Sequence, residues 1–186
     1  MTQPARLPAT YDDILALPEN VVGEIVNGEL IVSPRPTGPH ALATSSLGVE
    51  VGGPFQRGKG GPGGWWILDE PELHLGSHVL VPDLAGWRRE RMPEVPQGVA
   101  FEIAPDWVCE VISPSSARTD RGAKGLIYAK HGVRHLWIVD PIAHTLEVLR
   151  SNDGQWTLVA VHGEAEVVRA EPFEAAEVNL GSLWGL

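Results

Sequence analysis

A mixed-sheet α/β (α+β) domain is what this sequence predicts, on three observations. Asn27-Gly28 stands between two β-branched runs, Val21–Val26 and Glu29–Ser33, a strong short-range hairpin signal. Trp107-Val108-Cys109-Glu110-Val111-Ile112 is an apolar run broken by one acid, the pattern of a strand buried on both faces. Behind it come a helical segment from about Asp120 to His131, closed by Gly132, and a strand at His135–Val139. Strand, helix and strand in that order suit a mixed sheet flanked by helices. At 186 residues, a single domain over 1–186 is expected, long enough to bury a real core.

The elements follow in chain order. Thr10 is a good N-cap for a short helix, with Asp13 three residues on and Ile14, Leu15 and Leu17 behind it, and Pro18 ends it. The N-terminal hairpin comes next, with Glu24 inside its first strand. Pro39 opens a predicted helix from about His40 to Val51, its Leu42, Leu47 and Val51 recurring near one face. Gly52 to Gly64 reads as a Gly-rich loop. Strands are then expected at Trp65–Leu68, Glu72–Leu75 and Val81–Trp87, and a polar stretch with Arg88, Arg89, Arg91, Pro93 and Pro96 leads to the Glu110 strand. Thr145–Leu149 and Trp156–Val161 read as further strands.

Composition narrows the function classes. A net charge of −10 excludes a general nucleic-acid coat, which would be basic overall. Eleven of the fourteen Lys and Arg residues lie between Arg35 and Arg134, so a locally basic face remains compatible with the acidic sum. The segment Met1–Pro8 lacks the apolar core of a signal peptide, no stretch is long enough to cross a bilayer, and the single Cys109 leaves no internal disulfide. A cytoplasmic protein without a membrane partner is therefore expected.

The residues able to carry chemistry are few. A carboxylate inside an apolar strand is costly unless something pairs with it, and a metal ion is a partner that makes it useful. That points to Glu110. Asp83 sits in a similar setting, Val79-Leu80-Val81-Pro82-Asp83-Leu84-Ala85-Gly86-Trp87. Its rival is Asp106, which opens the Glu110 strand and suits a boundary position better. Lys124 lies four residues from both Asp120 and Tyr128, so the three share one helical face, and a helix packing back over the sheet brings Lys124 toward the acids. Two strand acids and a nearby lysine are the minimal kit for metal-assisted phosphodiester cleavage. Glu24 is a candidate third carboxylate, though an exposed hairpin glutamate reads as well. His40, near a helix start, is a candidate metal or phosphate ligand, against a plain first-turn residue.

Other features carry less. Gln56-Arg57-Gly58-Lys59-Gly60-Gly61 lacks the spacing of a P-loop or a dinucleotide fingerprint and reads as a flexible connection. The seven tryptophans suit core and interface. His74 and His78 are four apart, but Gly76 and Ser77 between them argue against a helical zinc pair. Ser113 and Ser115 have no evident His-Asp partners.

Several blocks together resemble a known family. They are Glu24-Ile25-Val26-Asn27-Gly28-Glu29-Leu30, Ser33-Pro34 followed by His40, Val81-Pro82-Asp83-Leu84-Ala85 and Trp107 through Ser115. Asp120 with Lys124 and Tyr128, and Gly132-Val133-Arg134-His135-Leu136-Trp137-Ile138-Val139-Asp140-Pro141, complete the set. From about Tyr11 to Leu149 the chain resembles the Uma-type family of restriction endonucleases, within the PD-(D/E)xK nuclease superfamily. The resemblance implies a restriction-endonuclease-like fold with Asp83 and Glu110 as metal ligands. The superfamily lysine belongs two residues after Glu110, where this chain has Ile112. The resemblance moves the lysine role to Lys124 and leaves Ile112 to offer a backbone carbonyl to the metal.

The activity expected is Mg²⁺- or Mn²⁺-dependent hydrolysis of DNA phosphodiesters. Asp83 and Glu110 hold the cation, Lys124 faces the attacking water or the transition state, Glu24 completes the metal shell, and Tyr128 positions Lys124. Cutting both strands of a duplex is simplest for a homodimer. The rivals are an inactive nucleic-acid-binding or regulatory module on the same fold, and a hydrolase of small phosphoesters.

Overall fold

The computed structural model describes residues 7–186. Helix α1, Tyr11–Leu15, begins where the sequence places it, and the Asp13 carboxylate accepts bonds from the Thr10 amide and hydroxyl at 2.7 and 3.0 Å. Strands β1 (Val22–Val26) and β2 (Glu29–Ser33) form the predicted hairpin. Asn27 and Gly28 both take positive φ, 52° and 80°, as its tight two-residue turn requires. Helix α2, Gly38–Val51, runs on through a π-helical turn at Gly52–Gln56, where a loop was expected. The Gly-rich segment is also tethered. The Gln56 side chain accepts the Ile67 N–H at 2.9 Å, and Arg89 donates to the Gln56 carbonyl at 2.9 Å.

Strands β3 (Trp65–Asp69), β4 (Glu72–Leu75), β5 (His78–Leu80), β6 (Leu84–Arg88), β7 (Ala100–Phe101) and β8 (Trp107–Val111) follow. The expected strand Val81–Trp87 forms from Leu84 on, as β6, while Val81–Asp83 is a change of sheet after β5 ends at Leu80. Pro82 has no N–H to give a ladder, so the chain leaves one sheet there and enters another. Asp83 is the last residue of that crossing. Beyond β8 come helix α3 (Ala117–Thr119), a π-helical stretch at Asp120–Lys124 and helix α4 (Gly125–Lys130). Gly132, at φ 86°, closes the run as predicted. Then come β9 (His135–Asp140), β10 (Thr145–Asn152), β11 (Gln155–Gly163), β12 (Val167–Val168), β13 (Val178–Asn179) and helix α5 (Gly181–Trp184).

The fold class is the predicted mixed α+β, with the strands divided among sheets. Five strands form the order β2-β1-β5-β4-β7, six form β11-β10-β9-β8-β6-β3, and β12 pairs with β13. In the six-stranded sheet β8 and β9 are parallel and joined by the α3–α4 crossover.

The two faces of β8 explain the rest. Trp107, Cys109 and Val111 point into an apolar cluster with Leu47 and Val51 of α2 and with Phe173 and Leu180 from the C-terminal segment. Val108 and Ile112 point into a second cluster with Ile127 and Tyr128 of α4 and with Val26, Leu73 and Leu80 of the five-stranded sheet. Side chains alternate along a strand, so Glu110 shares the face of Val108. Glu24, two residues before Val26, shares that residue's face. The two sheets thus bring both glutamates to one side of the second cluster.

Candidate active site

At the edge of that cluster Lys124 is 3 % exposed, Glu24 6 % and Glu110 2 %. The Lys124 ammonium lies 2.9 Å from Glu24 Oε1, 2.9 Å from Glu110 Oε1 and 3.5 Å from Asp120 Oδ1. Each carboxylate has a second anchor or a defined place. Glu24 Oε1 accepts the Val81 N–H at 2.8 Å, and Tyr128 donates its hydroxyl to Glu110 Oε1 at 2.6 Å. Asp120 sits one π-helical turn before Lys124, on the face that packs toward the sheets.

Asp83 reaches the same place from the sheet crossing. Its Oδ2 accepts the Val111 N–H at 2.7 Å, which fixes the carboxylate beside the residue that follows Glu110. Its Oδ1 lies 2.6 Å from His40 Nε2, carried by the first turn of α2. A cavity of about 550 Å³ opens over the group and is lined by Glu24, His40, Asp83, Glu110, Asp120 and Lys124 among others.

Burial and crowding set the charge states. Burial opposes ionisation of Glu110 and lifts its carboxyl well above the ordinary range; Lys124 works against that lift, while Asp120, Asp83 and Glu24 add to it. Burial also disfavours the Lys124 ammonium, but the three carboxylates outweigh it and hold the lysine protonated well above its usual range. Burial raises Asp120, again opposed by Lys124. For His40 burial lowers the pKa, yet the Asp83 hydrogen bond and the charges of Asp83, Asp120 and Glu70 prevail and raise it. The hydroxyl of Tyr128 is pushed up by burial and by Glu110. Four carboxylates (Glu24, Asp83, Glu110, Asp120) thus crowd around one lysine and one histidine, and burial works against the ionised forms of Glu110 and Asp120.

Of the residues singled out from sequence, Asp83, Glu110, Lys124, Glu24, Tyr128 and His40 all converge here. Ile112 does not reach the cavity. Its side chain packs in the second apolar cluster, its N–H donates to the Val139 carbonyl at 2.8 Å, and Val111 lines the cavity instead. Tyr128, expected to position Lys124, bonds Glu110 Oε1, the same oxygen that pairs with the Lys124 ammonium. Asp106 is a structural acid, as its boundary position suggested: it pairs with Arg91 at 2.8 Å and accepts the Arg88 N–H at 2.9 Å. His74 bonds to Glu72, and His78 Nδ1 accepts the Asn27 N–H, so the two form no zinc pair.

Asp120 was missed as a member of the site. Its signal was its four-residue spacing from Lys124, which also fits an ordinary surface pair; burial is what separates the two.

The donor set suits a hard divalent cation. Asp83, just before β6, and Glu110, on the neighbouring β8, offer carboxylate oxygens, and no hydrogen bond engages Glu110 Oε2 among the described residues. No group of three or more His, Cys, Asp or Glu among those residues is arranged to hold a metal ion. Mg²⁺ sites commonly use one or two carboxylates and take the rest from water and substrate phosphate, so two acids without a cage fit that ion.

The Uma2 family, described as "Putative restriction endonuclease", matches residues 9–181. A crystal structure from Anabaena variabilis, titled as a putative nuclease belonging to DUF820, superposes with a TM-score of 0.75 at 28% identity. The alignment covers 96% of this chain and 98% of that one. No curated protein matches the chain significantly. No helix among the described residues is long and apolar enough to cross a membrane.

Proposed function

The chain belongs to the Uma2 family, described as "Putative restriction endonuclease", and from that premise we propose that it is a Mg²⁺-dependent endonuclease hydrolysing DNA phosphodiester bonds. One observation carries the reading: a buried lysine held among three carboxylates, beside a fourth fixed by a backbone amide, at the base of a cavity. A structural ion pair needs one acid per lysine. Four acids around one lysine and one histidine instead make an oxygen-rich pocket of the kind a hard divalent cation takes.

Asp83 and Glu110 would hold Mg²⁺ or Mn²⁺. Once bound, the ion would supply a water of lowered pKa and neutralise charge building on the scissile phosphate. The chain's own groups do the rest. The Val111 amide and His40 orient the Asp83 carboxylate, and Tyr128 fixes one oxygen of Glu110 and leaves the other to face the cavity. Lys124, kept protonated by its neighbours, presents a fixed positive charge to the attacking water or the phosphoryl oxygens, the kind of preorganised electrostatics that dominates such reactions. Glu24 holds Lys124 in place and stands ready as a further oxygen donor. Cleavage of both duplex strands is met by a homodimer with two such sites.

The test is conversion of supercoiled plasmid by the purified protein with Mg²⁺ or Mn²⁺, beside Glu110→Ala and Lys124→Ala. Metal-dependent nicking that disappears in both variants is expected. Equal activity in all three proteins refutes the assignment. A second reading, an inactive binding module, draws on the apolar Ile112 at the position where the superfamily pattern has lysine. Metal binding through Glu110 with no turnover on any nucleic acid would select it.

A further inference from the structure

The cavity is short of positive charge for a polyanionic substrate. Glu19 and Glu70 line it beside the four inner carboxylates, and its lysine or arginine residues are Lys124 and Arg35. Lys124 is confined to the inner end of the cavity: three carboxylates surround its ammonium and it is 3 % exposed. Arg35 differs on both counts. It is exposed on the cavity wall, and no acidic side chain or hydrogen-bond acceptor engages its guanidinium among the described residues. It stands between Pro34 and Pro36, on the segment joining β2 to α2. A following proline biases Arg35 toward extended backbone, and the preceding proline has its own φ fixed, so little backbone freedom is left to lose on binding.

We propose that Arg35 is the phosphate anchor of this cavity, its guanidinium taking a backbone phosphate next to the scissile one. The proposal rests on the nuclease reading and adds the residue that holds the strand. A planar guanidinium pairs with phosphate oxygens through two parallel N–H bonds, which fixes strand direction as well as affinity. The division of labour follows from exposure. Lys124 is placed for the reacting centre and Arg35 for the neighbouring phosphate. Most of this acidic surface repels DNA, so one unpaired arginine at the mouth carries an unusual share of the binding.

The experiment measures Mg²⁺-dependent cleavage and binding of a short labelled DNA by wild type, Arg35→Ala, Arg35→Lys and Arg57→Ala over about 50 to 200 mM salt. Arg35→Ala is expected to raise KM about tenfold with kcat within about twofold of wild type. The slope of log affinity against log salt should fall by about 0.7 to 0.9, the loss of one phosphate contact. Arg35→Lys should keep most of the slope and lose part of the affinity. Arg57→Ala, in the Gly-rich segment, should match wild type. Wild-type KM and slope in Arg35→Ala would overturn the anchor while leaving the nuclease standing. So would an equal change in Arg57→Ala, which would mean a diffuse field, or a fall in kcat and thermal stability at unchanged KM, which would mean a structural role. Wild type that neither cuts nor binds DNA would overturn the nuclease reading and the anchor together.

Discussion

Replacing Lys124 by methionine removes the ammonium and keeps the length of the side chain. Glu24, Glu110 and Asp120 then share a buried space without their common partner. Breaking a buried ion pair from one side costs about 3–5 kcal/mol, because the remaining charge stays buried and uncompensated. In a chain of 186 residues that lowers Tm by about 10 °C, at roughly 2–4 °C per kcal/mol.

The pH dependence has a definite sign. Without Lys124, Glu110 and Asp120 lose the cation that opposes burial, so their folded-state pKa values rise further above the unfolded values of about 4. Groups raised in this way contribute stability below the unfolded pKa and lose it as pH climbs through the folded one. The deficit of Lys124→Met should therefore be largest near pH 8 and shrink toward pH 5. Wild-type Lys124, raised above the usual range, stays charged throughout that window and adds no slope of its own. Urea unfolding at several pH values measures both quantities. A deficit below about 1 kcal/mol near pH 7.5, or one that is the same at pH 5 and pH 8, would refute the idea that Lys124 is the compensating charge.

Three more outcomes follow from the same geometry. Tyr128→Phe removes the 2.6 Å bond to Glu110 and should cost about 1–2 kcal/mol in urea unfolding; stability equal to wild type would show the hydroxyl to be idle. The raised pKa of His40 means its protonation stabilises the fold below about pH 6.5, a contribution lost as pH rises through the folded value. Thermal melts of His40→Gln should thus fall short of wild type by about 1 kcal/mol near pH 6 and by less above pH 8, and a gap that widens with pH would contradict the pairing with Asp83. Asp106→Asn should lose about 2–3 kcal/mol with its Arg91 pair, yet keep full cleavage per folded molecule; lost cleavage at intact stability would transfer the ligand role from Asp83 to Asp106.

Much of the site was legible because its signals are local. Asn27-Gly28 specifies a turn whose two positive φ values other residue pairs adopt only with strain. Glu110 stands out because an acid in an apolar strand needs a reason. The four-residue spacing of Asp120, Lys124 and Tyr128 marks one helical face, which survives even though a π-helical stretch runs through Asp120–Lys124.

Partners across distance were not legible in that way. Glu24 meets Lys124 a hundred positions away because β1 and the crossover helix border one apolar cluster, and an exposed hairpin glutamate would show the same sequence. Pro82 shows that Val81–Trp87 is no continuous strand, but not that the chain changes sheets there and sets Asp83 at the junction. What each carboxylate touches was likewise not legible: Val111 and His40 for Asp83, Arg91 and Arg88 for Asp106. The sequence by itself determined the longer elements, which face of each is apolar and which residues are chemically out of place. Only the tertiary structure decided which of those faces meet. Periodicity and turn chemistry act over a few residues, whereas the pairing of buried charges depends on the packing of sheets from distant parts of the chain.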